Sequence, residues 1–531
     1  MIPDVDTDTL DRAAAAVAAG AGAWRATTSA ERIALLDDLR PRVWREAEAM
    51  VEALAALKGI DPAGPYASEE WIGGPYAIAQ AATAYAHALR DGRASVPVRV
   101  FPAGPLDRVL LNRFTATVRL ASGATEAVAG RPYRVRPPAH AALVLGAGNV
   151  AAITALDLLH RLHVAGATVV VKLNPVNDVI RPFLERIFAA YIERDAARFV
   201  SGGADVGAYL TAHPAIDAVH VTGSARTHDA IVWGAGEAGA RHRAAGRPVL
   251  AKPISSELGG ISPLIVVPGR WSGADLRFQA ENIVASKLNN AGANCIATQV
   301  LVLPHGWSGA DPLVAEVADL LATLPARPDW YPGAGRAGGR RLVEVEPTSD
   351  APLLREEAFA SALAVVRLPA PDLPRYLDAA AAFANDRLPG TLGATLLADP
   401  GTLRRERLAI DRLVGALRYG AIGINVWSAL GFLLSYNPWG AYPGQTLEDV
   451  GSGIGWVHDA YALEGVEKVV LQGPFRPFPR ALLSREPTIS PRPVWFVTSR
   501  TGTETARRMT ELLCLGGTRR LLRVVASALR S

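Results

Sequence analysis

Residues 141–175 read AALVLGAGNVAAITALDLLHRLHVAGATVVVKLNP, and this stretch decides the fold. Two short apolar runs, AALVL and ATVVVKL, flank a segment 151–163 whose apolar residues recur at helical spacing. Neither run alternates with polar residues, as expected of strands covered on both faces. Strand, crossover helix and second strand make a parallel βαβ unit. The rhythm continues with a helix over 179–193, then RFVSGGAD, a helix, DAVHVTGS and another helix. SSELGGISPLIVV restarts the pattern, with a helix over 276–290 and the strand QVLVLP, so a domain boundary is placed near 255.

Outward from this centre the chain changes character. Residues 8–90 are Ala/Leu-rich helix, and Thr28 three places before Glu31 has the spacing of a capping box. VPVRVF, RVLLNRFTATVRLA and YRVRPP, within 96–136, carry β-type alternation with Gly and Pro punctuation. GAIGINV at 420–426 reads as one more buried strand, and EKVVLQG closes the core. Beyond about 475 come a Pro/Arg-rich linker and two helices, the last over about 517–530.

With 531 residues, half of them hydrophobic, the chain is too long and too apolar for a disordered tail or a disulfide mini-scaffold. Its net charge of +4 invites a nucleic-acid reading. Only five of the bases are Lys and fifty are Arg, with no stripe of bases and interleaved aromatics in the body, so nucleic acid is not expected as a partner. Two distant cysteines, Cys295 and Cys514, exclude a disulfide framework, and no metal site is read. The uncharged stretch Tyr419 to Leu447 holds five Gly, two Pro and two Asn, a poor lipid-facing helix. The N-terminal residues lack a basic and an apolar region, so a cytoplasmic location is expected.

Four positions invite chemistry. An isolated cysteine is usually a small buried hydrophobe. Cys295, however, follows Asn290, Gly292 and Asn294 in a flexible polar approach to a strand, which suits an accessible thiol beside backbone N–H groups. Glu257 precedes Leu258-Gly259-Gly260 and a buried strand, so desolvation there would fit it for general base work. Asn149 is at the carboxyl end of the strand 141–145, where its amide can face a developing oxyanion instead of serving only a turn. Gly223-Ser224 ends one strand and opens a helix, a geometry suited to phosphate.

In combination these segments resemble the aldehyde dehydrogenase superfamily over roughly residues 28–475. SSELGGISP and NNAGANC, with thirty-eight positions from Glu257 to Cys295, resemble its E-L-G-G-x-S-P and N-x-G-x-x-C motifs. GNV, KLNP, VTGS, REEAFASALAV and YNPWGAYPG with GSGIG fall in the family's order. The resemblance implies an α/β fold with a Rossmann-type cofactor domain (1–95, 137–254 and 420–462) and an α/β catalytic domain (255–419). It also implies a small oligomerisation arm (96–136 and 463–475), with 476–531 as an extra basic C-terminal tail. Cys295 would be the nucleophile, Glu257 the base, and Asn149 with the Cys295 N–H the oxyanion hole. Lys172 and Asn174 would lie by the adenosine ribose, Gly223 and Ser224 by the pyrophosphate, and Glu357 with Phe359 by the nicotinamide ribose. The chain departs from the family at Gly148 (usually Trp), Ala293 (usually Gln) and Pro175 (often Glu), and the helix after Ser224 lacks the usual Gly.

By this resemblance the chain oxidises an aldehyde to an acid with NAD or NADP through a cysteine thioester, as a homo-oligomer. The alternatives are acyl transfer to coenzyme A, which Glu257 disfavours, and a non-catalytic scaffold on the same fold. Trp427, Leu430, Phe432, Leu433, Leu434, Tyr436 and Trp439 lean the substrate towards an apolar aldehyde. Without an acid between Lys172 and Asp178, use of both NAD and NADP is expected. Residues 476–531 contain eleven Arg and three Glu, a net +8. They are expected to be structural and to support an oligomer through the apolar face of the last helix, with an anionic membrane surface as the alternative.

Overall fold

The computed structural model describes residues 6–531 apart from 93–94, 105–106, 109–112, 122–125, 129–137, 335–338, 484–485 and 487–490. The chain opens with α1 (Thr7–Ala26) and α2 (Ser29–Lys58). Thr28 and Glu31 close the capping box read from the sequence, the Thr28 N–H donating to Glu31 Oε2 at 2.7 Å. α2 stops at Gly59, whose φ of 60° is the left-handed cap that glycine adopts freely. α3 (Ala67–Trp71) runs through a π turn at Ile72–Tyr76 into α4 (Ala77–Asp91). Strands β1 (Arg99–Phe101) and β2 (Thr115–Leu120) follow.

The parallel units lie where the sequence places them: β3 (Ala141–Leu145), α5 (Ala151–His163), β4 (Thr168–Lys172), β5 (Ala197–Val200), β6 (Ala218–Gly223), α6 (Ala225–Trp233) and β7 (Ile254–Leu258). Every residue of β3 and β4 is buried, which explains their unbroken apolar runs. The expected helix 179–193 is broken instead: a 3-10 turn over Pro175–Ile180 precedes short helices Arg181–Ile187 and Ala189–Ile192.

A second unit contains β8 (Ser262–Val266), α7 (Gly273–Leu288), β9 (Thr298–Pro304), β10 (Arg341–Glu344), β11 (Ala362–Leu368), α8 (Leu373–Arg387), β12 (Gly393–Leu397) and β13 (Ala421–Ile424). β14 (Gly453–Ile454) and β15 (Val466–Gln472) follow, then α9 (Gly502–Leu515) and α10 (Thr518–Ala528). One sheet has the order β14-β7-β6-β3-β4-β5, and the other β10-β11-β9-β8-β12-β13-β15-β2-β1. In the six-stranded sheet the order reverses between β3 and β6, so a crevice opens beyond their carboxyl ends.

The chain crosses between sheets after Leu258, since β7 still pairs with β6. The division drawn from the sequence differs from this topology in two places. β13, assigned above with 420–462 to the cofactor domain, pairs with β12 and β15 in the nine-stranded sheet. Its apolar residues are thereby covered on both edges, while Gly453–Ile454 joins β7 in the other sheet. The strands of the expected arm, β1, β2 and β15, continue the nine-stranded sheet. Much of 104–137 lies outside the described residues.

The C-terminal segment folds back over the body. Arg476 places Nε and Nη2 2.6 Å from the two oxygens of Asp275 at the start of α7, and Arg480 joins the same carboxylate. Further along, Arg492 pairs with Glu281 at 3.0 Å, and Phe496 packs on Phe278. α9 lies against α2 and α3, with Thr503 Oγ1 donating to the Gly64 carbonyl at 2.7 Å. Basic residues of α9 and of the α10 segment are partly neutralised within the pair: Arg520 and Arg523 reach Glu511, while Arg508 and Arg530 reach Glu504. Among the described residues no helix is long and apolar enough to cross a membrane.

Candidate active site

Cys295 sits between the end of α7 and the start of β9. Three successive residues before it, Asn290, Ala291 and Gly292, have φ of 55°, 57° and 76°. Asn and Gly tolerate this left-handed backbone, but for Ala it costs roughly 1–2 kcal/mol. At Gly292 a Cβ would lie 2.2 Å from the Ala360 carbonyl oxygen, so no side chain fits there. A turn this strained has to be held by its surroundings.

Two buried ion pairs hold it. Lys58, the last residue of α2, donates to both oxygens of Glu70 at 2.8 and 2.9 Å and to Asn290 Oδ1 at 2.9 Å. Glu69 accepts from the Asn290 N–H at 2.8 Å and from Arg327 Nη1 at 2.7 Å. Asn290 Nδ2 in turn donates to the carbonyls of Asn149 and Ala293, at 2.9 and 2.8 Å. The loop carrying Asn149 is thus stitched to the loop carrying Cys295. Asn149 Nδ2 donates one hydrogen to the Ala293 carbonyl at 3.2 Å, and an amide nitrogen has a second to offer.

Glu257, on β7, is 3% exposed and accepts from Trp439 Nε1 at 3.3 Å. Burial, reinforced by the Asp157 carboxylate, pushes its pKa up to about 8. Burial and the neighbouring carboxylates Glu257 and Glu357 push the half-buried Cys295 thiol well above its ordinary range. Glu357 is also raised to about 8 by burial and by Glu257, and buried Lys287 is lowered to about 7 against the pull of Glu357. The Glu357 carboxylate lies over Gly259, where a Cβ would meet its Oε1 at 2.2 Å.

Cys295 lies on the wall between two cavities. One, of about 740 Å³, is mainly apolar, lined by Ile72, Ile153, Trp427, Leu430, Phe432, Leu433, Trp439 and Trp495, with Lys58, Glu69 and Glu70 also in its lining. The other, of about 1760 Å³, lies in the crevice beyond β3 and β6 and is the more polar of the two. Asn149, Asn174, Gly223, Ser224, Glu257, Glu357 and Phe359 all line it. Lys172 ends β4, 8% exposed, but the lining there is Asn174. Ser224 caps α6, its Oγ accepting from the Thr227 N–H at 3.2 Å, which aims the first turn of α6 at the cavity. Gly148, where the resembled family has Trp, leaves room for Asn174: a Cβ would come within 2.7 Å of it. Phe359, with φ 47°, packs on Tyr331.

This crevice fits a dinucleotide on one further observation. Glu357 Oε1 is buried and has no hydrogen-bond partner among the described residues, so it is left to accept from a ribose hydroxyl. Sequence reasoning missed Lys58, Glu69, Glu70, Arg327, Lys287 and Trp495, because none sits in a local motif.

Residues 114–333 match the family described as Aldehyde dehydrogenase family. The chain is 34% identical over 201 residues to N-succinylglutamate 5-semialdehyde dehydrogenase of Sphingopyxis alaskensis, and 27% identical over 227 residues to coniferyl aldehyde dehydrogenase of a Pseudomonas species. Those matches cover 38% and 39% of this chain, and 38% and 43% of the relatives' own length. Among solved structures, aldehyde dehydrogenase C of Pseudomonas syringae, complexed with NAD+ and octanal, superposes with a TM-score of 0.60 at 18% identity. That comparison covers 88% of this chain and 90% of the other. NADP-dependent glyceraldehyde-3-phosphate dehydrogenase of Bacillus halodurans, complexed with NADP, also gives 0.60, at 19% identity over 88% and 92% of the two chains. These likenesses show the fold.

Proposed function

We propose that this chain is an aldehyde dehydrogenase that oxidises an apolar aldehyde to its carboxylic acid with NAD+ or NADP+, a reading supported by the family match and the shared fold. The observation that carries the reading is the position of Cys295 between a mainly apolar cavity and a more polar crevice. An aldehyde body fits the first and a dinucleotide the second, and the thiol is where they meet.

The chain's own residues account for the chemistry. Cys295 Sγ, its proton passed to water, adds as thiolate to the carbonyl carbon. The resulting oxyanion is met by the free hydrogen of Asn149 Nδ2 and by the Cys295 N–H. Strain and ion pairs before Cys295 fix these donors in advance, so no reorganisation is needed at the moment of reaction. Asn174, the first turn of α6 and Glu357 would hold a nicotinamide dinucleotide, which when bound supplies the hydride acceptor. The thioester then left on Cys295 is released by a water that Glu257 deprotonates. Glu257 beside the thiol supports water, in preference to coenzyme A, as the acyl acceptor.

No acidic side chain from 172 to 177 opposes a ribose phosphate, so both NAD+ and NADP+ serve. The test is a panel of aldehydes with each cofactor, with and without coenzyme A. Acid formation without coenzyme A and turnover with both cofactors are expected; a strict need for coenzyme A, or NAD+ preferred by several orders of magnitude, contradicts the respective claim. We take the enzyme to work in the cytoplasm as a homo-oligomer. Leu522 and Leu529 of α10, 64% and 50% exposed, offer apolar surface for a second subunit or, with the neighbouring arginines, for peripheral contact with an anionic membrane.

A further inference from the structure

Resting on that reading of the site, we infer that Trp495, supplied by the C-terminal segment, is the stop that sets the length of aldehyde the enzyme accepts. Behind the apolar cavity at Cys295 lies a second one, of about 510 Å³. The two share a wall made of Ile72, Leu430, Leu433 and Trp495. Beyond it the second chamber is again mainly apolar, with Phe101, Phe114 and Met509 in its lining.

Three of the four wall residues belong to the body: Ile72 to the turn after α3, and Leu430 and Leu433 to the short helix Leu430–Leu434. Trp495 alone comes from the segment that folds back along α7, and its indole is the largest side chain in the wall. It is wedged between the cluster around Trp427 and Trp439 on the site side and the cluster around Trp71 and Ala506 beneath α9. The segment is fastened on both sides of it, by Arg492 to Glu281 and by Phe496 against Phe278. The stop is therefore a fixed one. With it in place the substrate body is confined to the chamber at Cys295, which favours ring-sized apolar aldehydes. With it removed, the two chambers join and a long chain runs from Cys295 into the second.

The experiment compares wild type, Trp495→Leu and Leu433→Ala. The last opens the same wall from the body side and does not depend on the C-terminal segment tolerating change. Each protein is assayed with straight-chain aldehydes from propanal to dodecanal and with benzaldehyde. In parallel, Cys295 is alkylated by N-alkylmaleimides of the same chain lengths and followed by peptide mass spectrometry. Each methylene newly buried is worth about fourfold in kcat/KM. The ratio of kcat/KM for dodecanal over benzaldehyde is expected to rise at least about eightfold (about three methylenes buried at half that worth or more) in both variants. Alkylation by the longest maleimide speeds up in the same order. Unchanged chain-length profiles in both assays, in folded variants, overturn the stop while leaving aldehyde oxidation standing. If wild type oxidises no aldehyde but the maleimide profile shifts, the stop stands and the proposed reaction falls.

Discussion

Glu257 and Asp275 are both buried carboxylates, 3% and 1% exposed, and the protein treats them in opposite ways. Asp275 is the third residue of α7, where the helix N-terminus favours negative charge. It accepts from Ser272, Arg476 and Arg480, and those bonds outweigh burial to hold its pKa at about 2. Glu257 has one indole donor, a thiol and further carboxylates for company, and burial lifts it to about 8. The first region is electrostatically saturated and fastens the C-terminal segment. The second has few donors, so its carboxylate, once the proton leaves, is a strong base beside the cysteine. Stability and reactivity are kept on separate ends of one helix: α7 begins at the anchor and ends at the strained turn before Cys295.

The sharpest way to break this contrast is at the reactive end. Cys295→Ala removes the nucleophile and is expected to lower kcat at least ~1000-fold, with Tm within a few degrees of wild type. Residual activity near wild type would detach the chemistry from this turn. Next is the double variant Lys58→Met with Glu70→Met, which removes the donor to Asn290 without leaving one charge buried alone. It should fold, yet lower kcat by about 100-fold with little change in KM, because a loop misplaced by about 1 Å costs that much. An equal loss in KM alone would assign the pair to substrate binding.

At the anchored end, Asp275→Asn is expected to cost about 2 kcal/mol in stability by stranding two arginines, with urea unfolding as the measurement. No loss would mean that apolar packing alone holds the segment. The smallest effect separates the two carboxylates by pH. Asp275, lowered from 3.8, stabilises the fold above that value, and its contribution is lost as pH falls towards 2. Glu257, raised from 4.5, does the reverse: the folded state keeps a proton that the unfolded state releases, so its contribution is full below 4.5 and is lost as pH rises through about 8. Glu257→Gln should therefore melt a few degrees above wild type at pH 9 and lose that advantage at pH 5. The same advantage at both values would contradict the raised carboxylate.

Much of this was legible in the sequence where the signal is local. The runs 141–145 and 168–172, the helix 151–163 and the Thr28 cap follow from neighbouring residues, and so do the turns carrying Asn149, Ser224 and Cys295. What was not legible is the support around them. Nothing local marks Glu69 and Glu70: Glu69's partners Arg327 and Asn290 lie more than two hundred residues away, and Glu70 meets Lys58 across the break between two helices. A signal was present in composition: of only five lysines, Lys58, Lys172, Lys287 and Lys468 are buried and Lys252 is half-buried. Where surface bases are nearly all Arg, a Lys marks an interior partner. Trp495 was hidden differently, in a Pro-rich stretch with no periodicity to place it. The strands 421–424 and 466–472 were visible as strands, but their sheet was decided by edges that no local pattern encodes.

The central claim, that Cys295 carries the acyl group which Glu257 helps water to remove, is tested most directly on Glu257→Gln. The variant is mixed with an apolar aldehyde and NAD+, quenched in acid, and weighed intact and after digestion. The account predicts a mass gain equal to the acyl group on the peptide containing Cys295, together with one equivalent of reduced cofactor and little further turnover. An unmodified Cys295 with turnover at the wild-type rate would contradict it.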